Sequence, residues 1–192
     1  SASVAEYVIA AILVLARRGA YQASAEVAAG GWPRNRLIGG EAGGKVLGLV
    51  GFGGIAREVA RRARVLGMAV KAFDPFLPAE HAAWSEAERS DLDGVVTGSD
   101  FISLHVPLTA ETRHLIGSGS IARMRPGAVV INTSRGGVVD DAALAAAIRA
   151  GTLGGAALDV FETEPLTAAA GAAFAGLANV ILTPHIAGVT AE

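Results

Sequence analysis

The sequence predicts an α/β fold built on a doubly wound parallel sheet, and three observations carry that prediction. Short apolar runs recur along the 192 residues, each closed by glycine, proline or a polar residue, as buried strands are. Helical patterns or long connections separate them, so successive strands must run parallel through crossovers. Most telling is the stretch Val46–Val50, which breaks at Gly51-Phe52-Gly53 and passes directly into a helical pattern over residues 55–66.

Strand, glycine turn and helix in that order form the context a dinucleotide-binding fingerprint requires. Each small residue has a physical task. Gly51 permits the tight turn, Gly53 lets the backbone approach a pyrophosphate, and Ala56 keeps helix and strand close. The helix then presents free N–H groups and its positive dipole end to the phosphates. The fold is therefore read as Rossmann-type and the ligand as a dinucleotide.

A second strand over residues 68–73 ends at Asp74-Pro75. Asp74 lies 23 residues beyond Gly51, where the acidic residue of this fingerprint is expected to accept hydrogen bonds from the adenosine ribose. Its charge would repel a 2′-phosphate, which favours NAD over NADP. An Asp-Pro pair also begins ordinary turns, and the spacing is what favours the ribose role.

Bulk properties narrow the function. The chain is long enough for one large domain with a real core. Apolar residues make up 52%, and 25 glycines with only 5% aromatics suit close packing of helices on a sheet. A net charge of −2 leaves no basic excess for a nucleic-acid partner. The absence of cysteine removes disulfides and thiolate metal sites, and no metal is expected; this is compatible with a cytoplasmic protein. The longest apolar run, residues 7–16, is shorter than the ~20 residues a bilayer span takes, so no membrane role is expected.

The remaining elements follow in chain order. Residues 3–18 read as one helix, with Ser3 and Glu6 as a capping box and an apolar surface all round that implies cover on more than one side. Residues 19–44 form a glycine-rich connector with little periodicity. The charged residues Arg57, Glu58, Arg61, Arg62 and Arg64 read as a solvated helix face. Acidic residues 79–98 suggest loop plus a short helix. Strands are expected at 101–106, 128–132, 155–160 and 180–182, six in all. Asp140 or Asp141 caps a helix that carries Leu144 and Ile148 on one face and ends at Gly151. Residues 168–178 are alanine-rich and say little.

Ligands of such sheets bind outside the carboxyl ends of the strands. Arg135 follows the fourth predicted strand, Glu164 the fifth and His185 the sixth, at separations of 29 and 21 residues, about one crossover unit each. The topology therefore brings a guanidinium, a carboxylate and an imidazole to the rim that holds the glycine turn. An arginine fork grips a carboxylate through two parallel bonds and polarises an adjacent carbonyl. Histidine takes or returns a hydroxyl proton near neutrality, and a neighbouring carboxylate favours the protonated ring. Alone, each has a plainer reading: a turn histidine after Pro184, a surface arginine, a loop glutamate. His81, His105 and His114 have no comparable partners in the sequence.

These residues resemble the D-isomer-specific 2-hydroxyacid dehydrogenase family, which includes phosphoglycerate dehydrogenase. The resemblance runs from Ser3 to the end and rests on six motifs in order: Ser3-Val4-Ala5-Glu6, the Gly51 fingerprint, His105-Val106-Pro107-Leu108-Thr109, Asn132-Thr133-Ser134-Arg135-Gly136, Asp159-Val160-Phe161-Glu162-Thr163-Glu164-Pro165, and Thr183-Pro184-His185-Ile186-Ala187-Gly188. It implies that Arg135 binds substrate, that His185 is the acid/base and that Glu164 pairs with it. It further implies NAD contacts at Gly54 and Ile55 for the pyrophosphate, Val106 for the adenosine, and Asp159 with the Thr133, Ser134 and Arg135 backbone for the nicotinamide amide; His185 and Gly188 complete the cofactor set. The substrate is then a small 2-hydroxy or 2-oxo acid, and family members are commonly homodimers built through the cofactor domain.

Ala56 stands where the family more often has glycine, and Leu166-Thr167 with the alanine tract replaces a proline-containing loop. Family members also carry a substrate-binding domain with no counterpart here. Residues 1–192 are thus expected to be a single NAD-binding domain, with 1–44 as leading helix and connector and 45–192 as Rossmann core, poorly active alone because the cleft has one wall. An NAD(H)-sensing protein of the C-terminal-binding corepressor type, which resembles this family and keeps the trio, is the alternative; formate dehydrogenases have glutamine where Glu164 stands.

Overall fold

The computed structural model describes residues 2–191. In chain order the elements are α1 (Ala2–Ala16), a 3-10 turn (Ala20–Gln22), α2 (Ser24–Ala28), β1 (Val46–Val50), α3 (Gly54–Val65), β2 (Ala69–Phe73), a 3-10 turn (Ala82–Glu86), β3 (Glu88–Arg89), α4 (Leu92–Gly98), β4 (Phe101–Leu104), α5 (Ser118–Ile121), β5 (Val129–Asn132), a 3-10 turn (Gly136–Val138), α6 (Asp141–Arg149), β6 (Gly155–Leu158), α7 (Ala168–Gly171), a 3-10 turn (Ala172–Phe174) and β7 (Val180–Leu182). Among the described residues one sheet has the order β3-β2-β1-β4-β5-β6-β7, and every pairing is parallel.

Side chains alternate across this sheet into two cores. Leu47 and Leu49 of β1, Val129 and Ile131 of β5 and Ala157 of β6 face α1 and α3. Val50, Ile102, Leu104, Val130, Ala156 and Leu158 face α4, α5 and α6. Strands buried on both faces lose polar alternation and read as continuous apolar runs. Helix α1 buries Ala5, Val8, Ile12 and Leu15 in the first core, so the leading helix belongs to the same packed body as the strands.

The structure departs from the sequence expectation at several points. Seven strands replace the expected six: β3 is a two-residue, exposed edge strand inside the segment read as loop plus helix. Helix α1 already includes Ala2, so Ser3 lies within the first turn and does not cap it. The connector contains α2 and a 3-10 turn. Of the two candidate caps of α6, Asp140 takes the position and accepts from the Ala143 amide at 2.9 Å.

Candidate active site

The glycine turn is built as its residues require. Gly51 has φ +86°, and a Cβ there would stand 2.5 Å from the His105 carbonyl oxygen, so no side chain fits. At Gly53 and Gly54 an added Cβ would meet no protein atom within 4 Å, and both are exposed at the start of α3. Beside them is a cavity of about 350 Å³ lined by Val4, Ile55, His105, Val106, Thr133, Ser134 and Arg135, among others. The Thr133 hydroxyl is buried at this wall with no partner among the described residues. Open backbone at a helix N-terminus and an unused hydroxyl are what a dinucleotide needs, so the residues fit the group.

Asp74 sits at the end of β2, next to the turn. Its carboxylate accepts from the Phe52 and Phe76 amides, each at 2.9 Å, which fixes it against the glycine turn. Burial lowers the His105 pKa to about 4, so its ring stays neutral at neutral pH; the ring lies 2.9 Å from the Ser103 hydroxyl.

Toward the β7 edge of the sheet, at the same strand ends, His185 Nδ1 and Glu164 Oε2 are 2.7 Å apart. The second oxygen of Glu164 accepts from the Phe161 amide at 3.0 Å, which pins the carboxylate. Burial by itself would raise the Glu164 carboxyl. The bond to His185, the Phe161 amide and the charges of His185 and Arg135 outweigh burial, and the net direction is down. The pair borders a further cavity of about 590 Å³, lined by Phe161, Leu166, Leu182, Thr183 and Pro184.

Arg135 joins the pair through its own loop. A Cβ at Gly136 would fall 1.7 Å from the Phe161 carbonyl oxygen, so the Arg135 segment lies directly on the segment carrying Glu164. Asn132 shapes the turn: its amide group donates to the Arg135 carbonyl at 2.9 Å and its oxygen accepts from the Ser134 amide at 3.0 Å. The expected trio is thus brought together by β5, β6 and β7. Arg135 lines the cleft of the glycine turn, and Glu164 with His185 lines the cavity beyond.

Asp159 has partners that its expected cofactor role did not include. It is 1% exposed, and its carboxylate accepts from the Thr183 hydroxyl at 2.6 Å and from the Ile186 and Ala187 amides at 2.8 and 2.9 Å. Both oxygens thus hold the loop that carries His185. Gly188 is exposed, and a Cβ there would lie 3.5 Å from Val4 of α1. His114 does have a partner, Glu162 Oε2 at 3.1 Å, which the 48-residue separation concealed. Sequence reading also missed Val4, Tyr7 and Thr183. For Tyr7 the available signal was one phenol at the head of a long aliphatic run.

A parallel sheet with a glycine turn opening a helix, and an arginine–glutamate–histidine group at the same strand ends, define a dinucleotide-binding domain of the oxidoreductase class. The model of the D-isomer specific 2-hydroxyacid dehydrogenase NAD binding domain matches residues 9–187, and the chain belongs to that family. It is 56% identical over 191 residues to the (S)-sulfolactate dehydrogenase of Chromohalobacter salexigens, covering 99% of this chain and 61% of that protein. It is 45% identical over 190 residues to the hydroxypyruvate reductase of Thermotoga maritima, again 99% and 61%. The crystal structure of the Aquifex aeolicus D-lactate dehydrogenase complexed with NAD and lactic acid superposes with a TM-score of 0.87 at 34% identity, over 100% of this chain and 61% of that one. The chain thus spans about 61% of the length of these relatives. All three are named for dehydrogenase or reductase activity, which favours the catalytic expectation over the nucleotide-sensing one. No helix among the described residues is long and apolar enough to cross a membrane.

Proposed function

We propose that the complete protein is an NAD-dependent dehydrogenase that interconverts a small D-2-hydroxy acid and its 2-oxo acid. The observation that carries this is the 2.7 Å pair of His185 and Glu164, set at the strand ends beside the Arg135 loop. Bound in the cleft, NAD supplies the two-electron redox chemistry. Gly53, Gly54 and Ile55 would hold its pyrophosphate, Asp74 and Val106 its adenosine, and Thr133 and Ser134 its nicotinamide end, with Gly51 making the turn that presents them.

The protein's own groups do the rest. Arg135 grips the substrate carboxylate and polarises the neighbouring carbonyl. His185 gives a proton to the carbonyl oxygen during reduction and takes it back during oxidation, through the nitrogen not bonded to Glu164. Glu164 holds the ring in that orientation. A second domain outside these residues would close the cleft and exclude water. The reading extends to a homodimer, which the apolar groove of Ile9, Ala10, Leu13, Val65 and Leu66 supports. It also extends to the cytoplasm, where an NAD-consuming enzyme meets its cofactor.

The test is to screen the complete protein against 2-oxo acids, including the oxo forms of sulfolactate, glycerate and lactate, while following NADH absorbance. His185→Ala should lower turnover by ~10²–10⁴-fold. Normal turnover in that variant removes His185 as the acid/base.

A further inference from the structure

The loop that carries His185 is held from behind, and the hold extends to the first helix. Asp159 receives the Thr183 hydroxyl at 2.6 Å, and Thr183 Oγ1 is in turn 2.6 Å from the Tyr7 hydroxyl. A threonine hydroxyl has one proton, and the ionised carboxylate can only accept. Thr183 therefore donates to Asp159, and Tyr7 must donate to Thr183. Burial first, then the charge of Asp159, raises the Tyr7 pKa against the opposing bond to Thr183, so the phenol keeps the proton this direction requires.

The chain of bonds ends on the backbone around the imidazole. Asp159 also accepts from the Ile186 and Ala187 amides, and its own carbonyl accepts from the His185 amide at 2.9 Å. His185 is one of three non-glycine residues among those described with positive φ, at +56°. An L-residue holds that conformation only when its surroundings over-determine it. The Asp159 contacts supply that constraint, and Tyr7 fixes the hydroxyl that orients Asp159.

We propose that Tyr7 is a positioning residue for His185: through Thr183 and Asp159, helix α1 sets the backbone that presents the imidazole. The proposal rests on the catalytic reading of His185, and its test has one arm that does not.

In the complete protein Tyr7→Phe removes one donor and leaves the ring. Loss of one hydrogen bond of ordinary net worth should lower kcat by ~3- to 10-fold, with KM and NADH affinity within ~2-fold. Thr183→Val should also lower kcat, and adding Tyr7→Phe to it should cost nothing more, because the route is already cut. Thr183→Ser, which keeps the hydroxyl, should retain the native rate. Native kcat in Tyr7→Phe, or an undiminished loss in the Thr183→Val background, overturns the proposal. Hydrogen exchange gives the arm independent of turnover. The amides of Ile186 and Ala187 should exchange faster in Tyr7→Phe while those of β1 and α3 do not change. Unchanged exchange at Ile186 and Ala187, or a uniform increase across the chain, overturns it even if no substrate is turned over. A native protein inactive on every 2-oxo acid, with the local exchange effect present, sinks the dehydrogenase reading alone.

Discussion

Gly136 is the residue on which the geometry of the trio depends most directly. Replacing it by alanine places a Cβ 1.7 Å from the Phe161 carbonyl oxygen and 2.6 Å from the Glu162 amide nitrogen, both backbone atoms. Ordinary contact begins at 3.4 Å, so the Arg135 and Glu164 segments must part by about 1.7 Å. Misplacement of a reacting group by about 1 Å can cost ~10²-fold in rate, so Gly136→Ala should lose at least that factor in kcat/KM. The clashing atoms are backbone and cannot rotate away, so the cost should exceed the ~1–3 kcal/mol typical of overpacking, and for a chain of this size each kcal/mol lowers Tm by about 2–4 °C. The assay is NADH absorbance with the complete protein, accompanied by a thermal melt. A variant that melts a few degrees lower but keeps native kcat/KM would show that the abutment of the two segments is irrelevant to catalysis.

Two further outcomes follow from named contacts. Asp74→Ala removes the charged acceptor beside the glycine turn; it should weaken NAD by ~10-fold or more and narrow the gap to NADP, measured by titrating cofactor fluorescence. Unchanged preference would make Asp74 a turn residue only. The Asp141 carboxyl is pushed up to about 6 by burial, with the charges of Glu162 and Asp140 adding to the rise and the Glu162 amide and His114 opposing it. The folded chain then holds this proton more tightly than the unfolded one, whose value is 3.8, so stability present at low pH is lost as pH rises through about 6. Asp141→Asn removes that dependence. Relative to the native protein it should gain stability between pH 5 and pH 8 by urea unfolding, on the order of 1 kcal/mol once solvent screening of this half-buried group is allowed for. Identical pH trends for the two proteins would contradict the assignment.

What could be read beforehand divides along physical lines. Gly51 was legible because its positive φ and the nearby carbonyl admit only glycine. The central strands were legible because burial on both faces leaves the runs almost wholly apolar, with Ser103 of β4 and Asn132 of β5 as buried polar exceptions. Glu88 and Arg89 form an exposed edge strand with no apolar signal, so β3 was not. The alanine tract offers no facial contrast, yet it folds as α7 and a 3-10 turn that buries Phe174. Arg135, Glu164 and His185 were placed by counting crossover units, which works when each follows a strand directly. The Asp159 carboxylate and the Tyr7 hydroxyl act on residues 24 and 176 positions away, and no local pattern encodes such a meeting.

The imidazole hangs from the outermost strip of the sheet. β7 is three residues long, has one neighbour and is partly exposed, whereas β1 lies between β2 and β4 with the glycine turn at its end. Edge elements open at lower free energy than central ones. On the roles proposed above, gentle heating should therefore silence NADH turnover while the dinucleotide is still gripped, leaving a molecule that holds its coenzyme but does nothing with it.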